Sequence, residues 1–152
     1  MKTVLAFAAL LLLGGCQQAR TQYDAAEDVR AFIVAVREDD RAAFERHIDR
    51  TALRTQLLEQ VRAQAGSLAD VIGEGTVDRL IQPESFRLAL EQAGAPARTP
   101  TAAEIATQLK VVENGRVCLP RSPGGPCAIT FAQSGGVWKL VALDATGVRI
   151  GG

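Results

Sequence analysis

The sequence predicts an α+β protein, with N-terminal helices packed on a C-terminal four-stranded antiparallel meander after a cleaved apolar leader. Apolar residues recur at helical spacing through the first half of the chain and alternate at period two in the second half. Turn residues, Asn114-Gly115 and Ser134-Gly135-Gly136, separate the alternating runs. The chain balances 17 basic against 17 acidic residues. That balance argues against a nucleic-acid binder or a polybasic membrane reader, because both depend on a strong positive field.

The elements follow in chain order. Lys2 precedes an uninterrupted apolar run at 4–13 (VLAFAALLLL), which ends in Leu13-Gly14-Gly15-Cys16. About ten residues rise only about 15 Å as a helix, half the ~30 Å hydrocarbon core, so the run suits a signal segment better than a membrane span. Leu-Gly-Gly-Cys resembles a lipobox, in which the cysteine thiol takes a diacylglyceryl group before cleavage and the new α-amine is then acylated. The resemblance implies that residues 1–15 are a signal peptide and that Cys16 is the lipidated first residue of the mature chain. Two or more acyl chains give stable membrane attachment where one does not. Gln17 stands where an aspartate would imply inner-membrane retention, so the implied location is the bacterial outer membrane, facing the periplasm. Residues 17–22 (QQARTQ) are polar and aperiodic. Residues 16–23 are therefore expected to be a lipidated N-terminus and flexible tether, 24–146 a single α+β domain, and 147–152 a flexible tail.

Val29, Phe32, Ile33 and Val36 follow the i, i+3, i+4, i+7 rule, with Asp24, Glu27 and Asp28 at the expected positive end of the helix. Glu38-Asp39-Asp40 breaks that helix, and a second, short one carries Phe44 and Ile48. Asp49 or Thr51 caps a third, whose Leu53, Leu57, Leu58 and Val61 share a face and which Gly66 ends. Ser67 to Asp70 resembles a capping box opening a short segment with Leu68, Val71 and Ile72, which Gly73 and Gly75 are expected to break before 77–81. Pro83 suits the first turn of a helix carrying Phe86, Ala89 and Leu90 and closed by Gly94. A linker at 95–100 leads to a second capping-box match, Thr101 with Glu104. Strands are expected at 109–113, 116–119, 127–131 and 137–143, with Cys127, Ile129 and Phe131 on one face of the third.

Cys118 and Cys127 have eight residues between them. In an oxidising compartment a disulfide is the favoured reading, clipping the loop between the second and third strands. A metal pair would need further ligands nearby, and His47 is the sole histidine. A redox dithiol favours Cys-x-x-Cys spacing. No metal and no cofactor is implied.

The stretch 31–54, AFIVAVREDDRAAFERHIDRTALR, resembles the start of a bacterial family of exported lipoproteins known only as a domain of unknown function, through Asp40, Phe44, Ile48, Asp49, Leu53 and Arg54. Residues 117–143 resemble that family's closing hairpins. More distantly, an amphipathic helix, an acidic bend, a short helix and a terminal sheet ending in a Trp-bearing strand are similar to the cone-shaped cystatin-like and nuclear-transport-factor-like superfamily. The resemblance implies the fold and carries no established activity.

His47, Asp49 and Arg54 are the candidate cleft residues. His47 has acid–base capacity near neutral pH, and Asp49 with Arg54 can form a charge pair, although capping and a surface ion pair explain the latter as well. Trp138 is read as core packing with Leu140 and Ala142. The loop RSPGGP at 121–126 lacks the lysine and Ser/Thr of a phosphate loop and precedes a strand. No catalytic motif of recognised spacing occurs after Cys16. The function expected is a non-catalytic interaction or small-ligand-binding domain, attached to the membrane through the lipid on Cys16. The alternatives are a periplasmic enzyme with a cleft beside the sheet, or a structural accessory of an envelope complex.

Overall fold

The computed structural model describes residues 3–65, 74–92 and 97–144. Helix α1 (Thr3–Glu38) runs without interruption. Its buried face is Ala25, Ala26, Val29, Phe32, Ala35 and Val36, spaced as a helix facing one core requires. The helix starts earlier than the apolar periodicity predicts. The stretch 17–22, expected to be a flexible tether, is helical, and Asp24, Glu27 and Asp28 lie inside the helix, away from its positive end. Nothing between 16 and 23 breaks a helix. Thr21 Oγ1 donates to the Gln17 carbonyl at 3.0 Å, and Arg20 and Asp24 face each other one turn apart at 3.9 Å.

The acidic bend ends one helix and starts the next. Asp39 takes φ 56°, a left-handed value that a short polar side chain tolerates. Asp40 donates its N–H back to Ala35 O at 2.9 Å, while its carboxylate accepts the Ala43 N–H at 2.9 Å to cap α2 (Arg41–Arg46). Ile48, expected on this helix, lies past its end. Asp49 caps α3 (Arg50–Ala65) by accepting the Ala52 N–H at 3.0 Å, and Leu53 and Leu57 bury that helix while Leu58 and Val61 are half-buried. The expected stop at Gly66 and the segment 67–73 lie outside the described residues.

Helix α4 (Glu74–Leu80) contains Gly75, which was expected to break the chain. The glycine sits in the first turn, where the backbone N–H groups have no intrahelical partner to lose. Val77 and Ile81 are fully buried. Pro83 opens α5 (Pro83–Gln92), where its missing N–H costs nothing. Phe86 faces the core and Ala89 is exposed. The expected stop at Gly94 is outside the described residues. Thr101 and Glu104 form the predicted reciprocal capping box of α6 (Ala102–Gln108).

The sheet is the predicted meander, in order β1-β2-β3-β4 and antiparallel throughout: β1 (Lys110–Val111), β2 (Val117–Pro120), β3 (Cys127–Ser134) and β4 (Val137–Leu143). Asn114 and Gly115 have φ 60° and 68°, and Gly135 and Gly136 have 61° and 81°. Both central residues of each turn are left-handed, the geometry whose twist matches paired strands.

Val117, Phe131 and Leu140 stand opposite one another across three strands and are fully buried. Phe32 of α1 lies at the centre of the core, with ring centroids 5.7 Å from Phe44, 5.6 Å from Phe86 and 5.8 Å from Phe131. These four rings, from α1, α2, α5 and β3, fill the space between the helices and the sheet.

The outer edge of β4 is occupied along its length. Trp138 N–H donates to Asp28 of α1, Leu140 N–H donates to His47 O at 2.8 Å, and Asp49 N–H donates to Leu140 O at 2.9 Å. Ile48 thereby forms a one-residue parallel bridge with Leu140. Gln56 of α3 then holds both the N–H and the carbonyl of Leu143 at 3.1 Å, and Gln60 adds a second bond to that carbonyl. A strand edge so covered offers no template for another strand.

Candidate functional site

Cys16 is exposed, unpaired and carried on α1. The residues that follow, Gln17 to Arg20, are exposed, and the helix begins to be covered at Thr21 and Gln22. Gln22 Nε2 donates to the Leu109 carbonyl at 2.6 Å, which ties this part of α1 to the rest of the domain.

Cys118 and Cys127 form a disulfide, with Cα atoms 5.6 Å apart. Simple alternation places Cys127 with Ile129 and Phe131, and the register overturns that expectation. Leu119 pairs with Ile129, but Pro120 pairs with Cys127, so Ala128 is an extra residue. The bulge turns Cys127 onto the face of Cys118 and Thr130, opposite the Phe131 core. Lys110, paired with Cys118 on that face, reaches across to donate to Gly125 O at 2.9 Å. The intervening loop closes on itself through Arg121 N–H to Pro126 O at 3.0 Å and Gly125 N–H to Ser122 O at 2.9 Å. Those two backbone donors point inward to the loop's own carbonyls, unlike the outward-facing donors of a phosphate cradle.

His47, Asp49 and Arg54 each engage a different partner. His47 ends α2 and is largely covered, its side chain 12% exposed. Its Nδ1 lies 2.8 Å from Ala43 O, to which it donates because a carbonyl can only accept, and Nε2 lies 3.7 Å from Asp28 Oδ1. Both ring nitrogens are therefore directed at the protein's own groups. Asp49 is the cap of α3, as the sequence allows. Arg54 does not pair with Asp49; its Nε donates to Asp78 Oδ1 of α4 at 3.0 Å. Arg50 joins the same cluster, bonding Glu45 and the carbonyl of Ile81 and lying 3.8 Å from Asp78. These contacts tie α3 to α2 and α4.

Asp28 is the residue that sequence reasoning missed. It lies 110 positions from Trp138, and only folding brings the two together. Helical periodicity could have flagged it as a polar residue beside the apolar stripe of α1, but nothing local names its partners. Trp138 is 4% exposed and packs in the core as predicted, and its indole Nε1 is buried without a hydrogen-bond partner. Among the described residues no group of three or more His, Cys, Asp or Glu could hold a metal ion, and no helix is long and apolar enough to cross a membrane.

Comparison of the chain with protein-family models, curated proteins and solved structures found no match. The resemblances in the sequence rest on the quoted residues alone.

Proposed function

We propose that this chain is a bacterial envelope lipoprotein, anchored through lipid on Cys16, whose α+β domain binds a protein partner or small ligand and catalyses no reaction. Leu13-Gly14-Gly15-Cys16, directly after a positively charged start and an apolar run too short to span a bilayer, carries the reading. In it, residues 1–15 are the cleaved signal peptide, and the mature protein sits in the outer membrane facing the periplasm. The exposure of Cys16 is compatible with modification. The binding role is favoured over catalysis because the candidate acid–base residues are engaged separately, His47 with Ala43 and Asp28, Asp49 as a cap and Arg54 with Asp78.

Whole-protein mass spectrometry of the chain recovered from bacterial membranes tests the anchor. The expected species starts at Cys16 and carries the mass of acyl chains, and Cys16→Ser moves the protein to the soluble fraction. A Cys16→Ser protein that still sediments with membranes overturns the reading.

A further inference from the structure

Residue Cys16 and the packed domain lie on one continuous helix. From Cys16 to Gln22, where the Leu109 carbonyl ties α1 down, a helix rises only about 9 Å. A flexible segment of that length would average about 13 Å and reach about 20 Å. The polar headgroup layer of one leaflet is about 5–7 Å thick. A helical connection therefore leaves almost no gap between the headgroups and the end of the domain where α1 meets Leu109.

Two further observations bear on that end. Tyr23, the residue after the Gln22 tie, is 58% exposed, and an aromatic ring with a polar tip is favoured at the membrane–water interface. The connection also carries an exposed ion pair one turn apart, Arg20 with Asp24. Acylation of the Cys16 α-amine removes a positive charge that would oppose the dipole at a helix start.

We propose that Cys16 to Gln22 form a rigid helical spacer that holds the domain against the lipid surface, with Tyr23 and the Leu109 end of the domain facing the headgroups. The inference rests on the lipid anchor proposed above and adds a fixed distance and orientation to it. The Glu38 end of α1 then lies on the side away from the lipid.

The test uses the full chain processed in bacterial membranes and reconstituted into phosphatidylethanolamine–phosphatidylglycerol vesicles. Nitroxide labels are placed at Tyr23→Cys and at Glu38→Cys, the latter about 22 Å further along α1. A nickel-chelating lipid supplies relaxation at headgroup level. Relaxation at position 23 is expected to exceed that at 38 several-fold, and to fall several-fold when a Gly-Ser segment is inserted between Gln18 and Ala19. Equal relaxation at the two positions overturns the spacer, as does a value at 23 that the insertion leaves unchanged. Mass spectrometry of the same sample separates the two ideas. A chain without lipid mass overturns both the anchor and the spacer, whereas a lipidated chain with equal relaxation overturns the spacer alone.

Discussion

The carboxylate of Asp28, on α1, accepts the backbone N–H of Trp138, on β4, through Oδ2 at 2.8 Å. Its second oxygen faces His47 Nε2 at 3.7 Å. One side chain thus joins the long helix, the last strand and the end of α2, and it satisfies an edge N–H that has no strand to pair with. A buried or half-buried donor left without its acceptor costs its full desolvation.

Replacing Asp28 should therefore be felt globally. Asp28→Ala is expected to destabilise the fold by about 1.5–3 kcal/mol, the range for a hydrogen bond to a charged group. Asp28→Asn, which keeps an acceptor oxygen, should cost less. Urea unfolding followed by Trp138 fluorescence measures both. Equal losses for the two variants would show that the charge facing His47 matters more than the bond to Trp138.

The aromatic core makes a sharper demand. Phe32 touches three other phenylalanine rings, so Phe32→Ala opens a cavity at the centre of the core and should cost about 3–5 kcal/mol. That is a large part of the stability of a typical domain. Thermal denaturation should show a large fall in Tm, and Phe32→Leu should retain most of the lost stability.

The disulfide closes a short loop, with a sequence separation of 9 between its cysteines. Constraining the unfolded chain by that much is worth about 2–3 kcal/mol in the chain-entropy picture. Alkylation without reductant should leave Cys118 and Cys127 unlabelled, and reduction should lower the urea midpoint accordingly. Rapid labelling of both in the native protein would refute the bond.

The cap of α6 predicts an acid response. The guanidinium of Arg98, together with the Thr101 N–H and hydroxyl, holds the Glu104 carboxyl well below its usual range, at about 2. A depressed carboxylate favours the folded state at any pH above its unfolded value, and that contribution is lost as pH falls through about 4.5 toward 2. Wild type should therefore be more stable than Glu104→Gln at neutral pH, with the difference shrinking across that acid window. Denaturation at a series of pH values checks the sign, and a difference that grows on acidification would be the wrong one.

Much of the architecture was legible because its causes are local. Asp49 at a helix cap, the Thr101–Glu104 box, Pro83 at a helix start and the two left-handed turns each act within four residues of themselves. Helical and strand periodicity then assign the faces, and Phe32, Phe44, Phe131 and Leu140 were all readable as core. The start of α1 was harder to read. The stretch 17–22 has no apolar stripe, so periodicity is silent there, yet apart from Thr21 its residues are good helix formers and extend a helix that packing stabilises further along.

By itself, then, the sequence determined the order of helices before sheet, the meander and the pairing of two cysteines, because caps, turns and short loops are set by neighbours along the chain. Only the tertiary structure decided that Ala128 bulges to bring Cys127 onto the face of Cys118, and that Ile48 leaves its helix to bridge Leu140. It also sent Arg54 to Asp78 and Asp28 to Trp138. Each of these depends on which backbone groups and charges lie opposite one another once distant segments dock, and that geometry is set by the packing of the whole core.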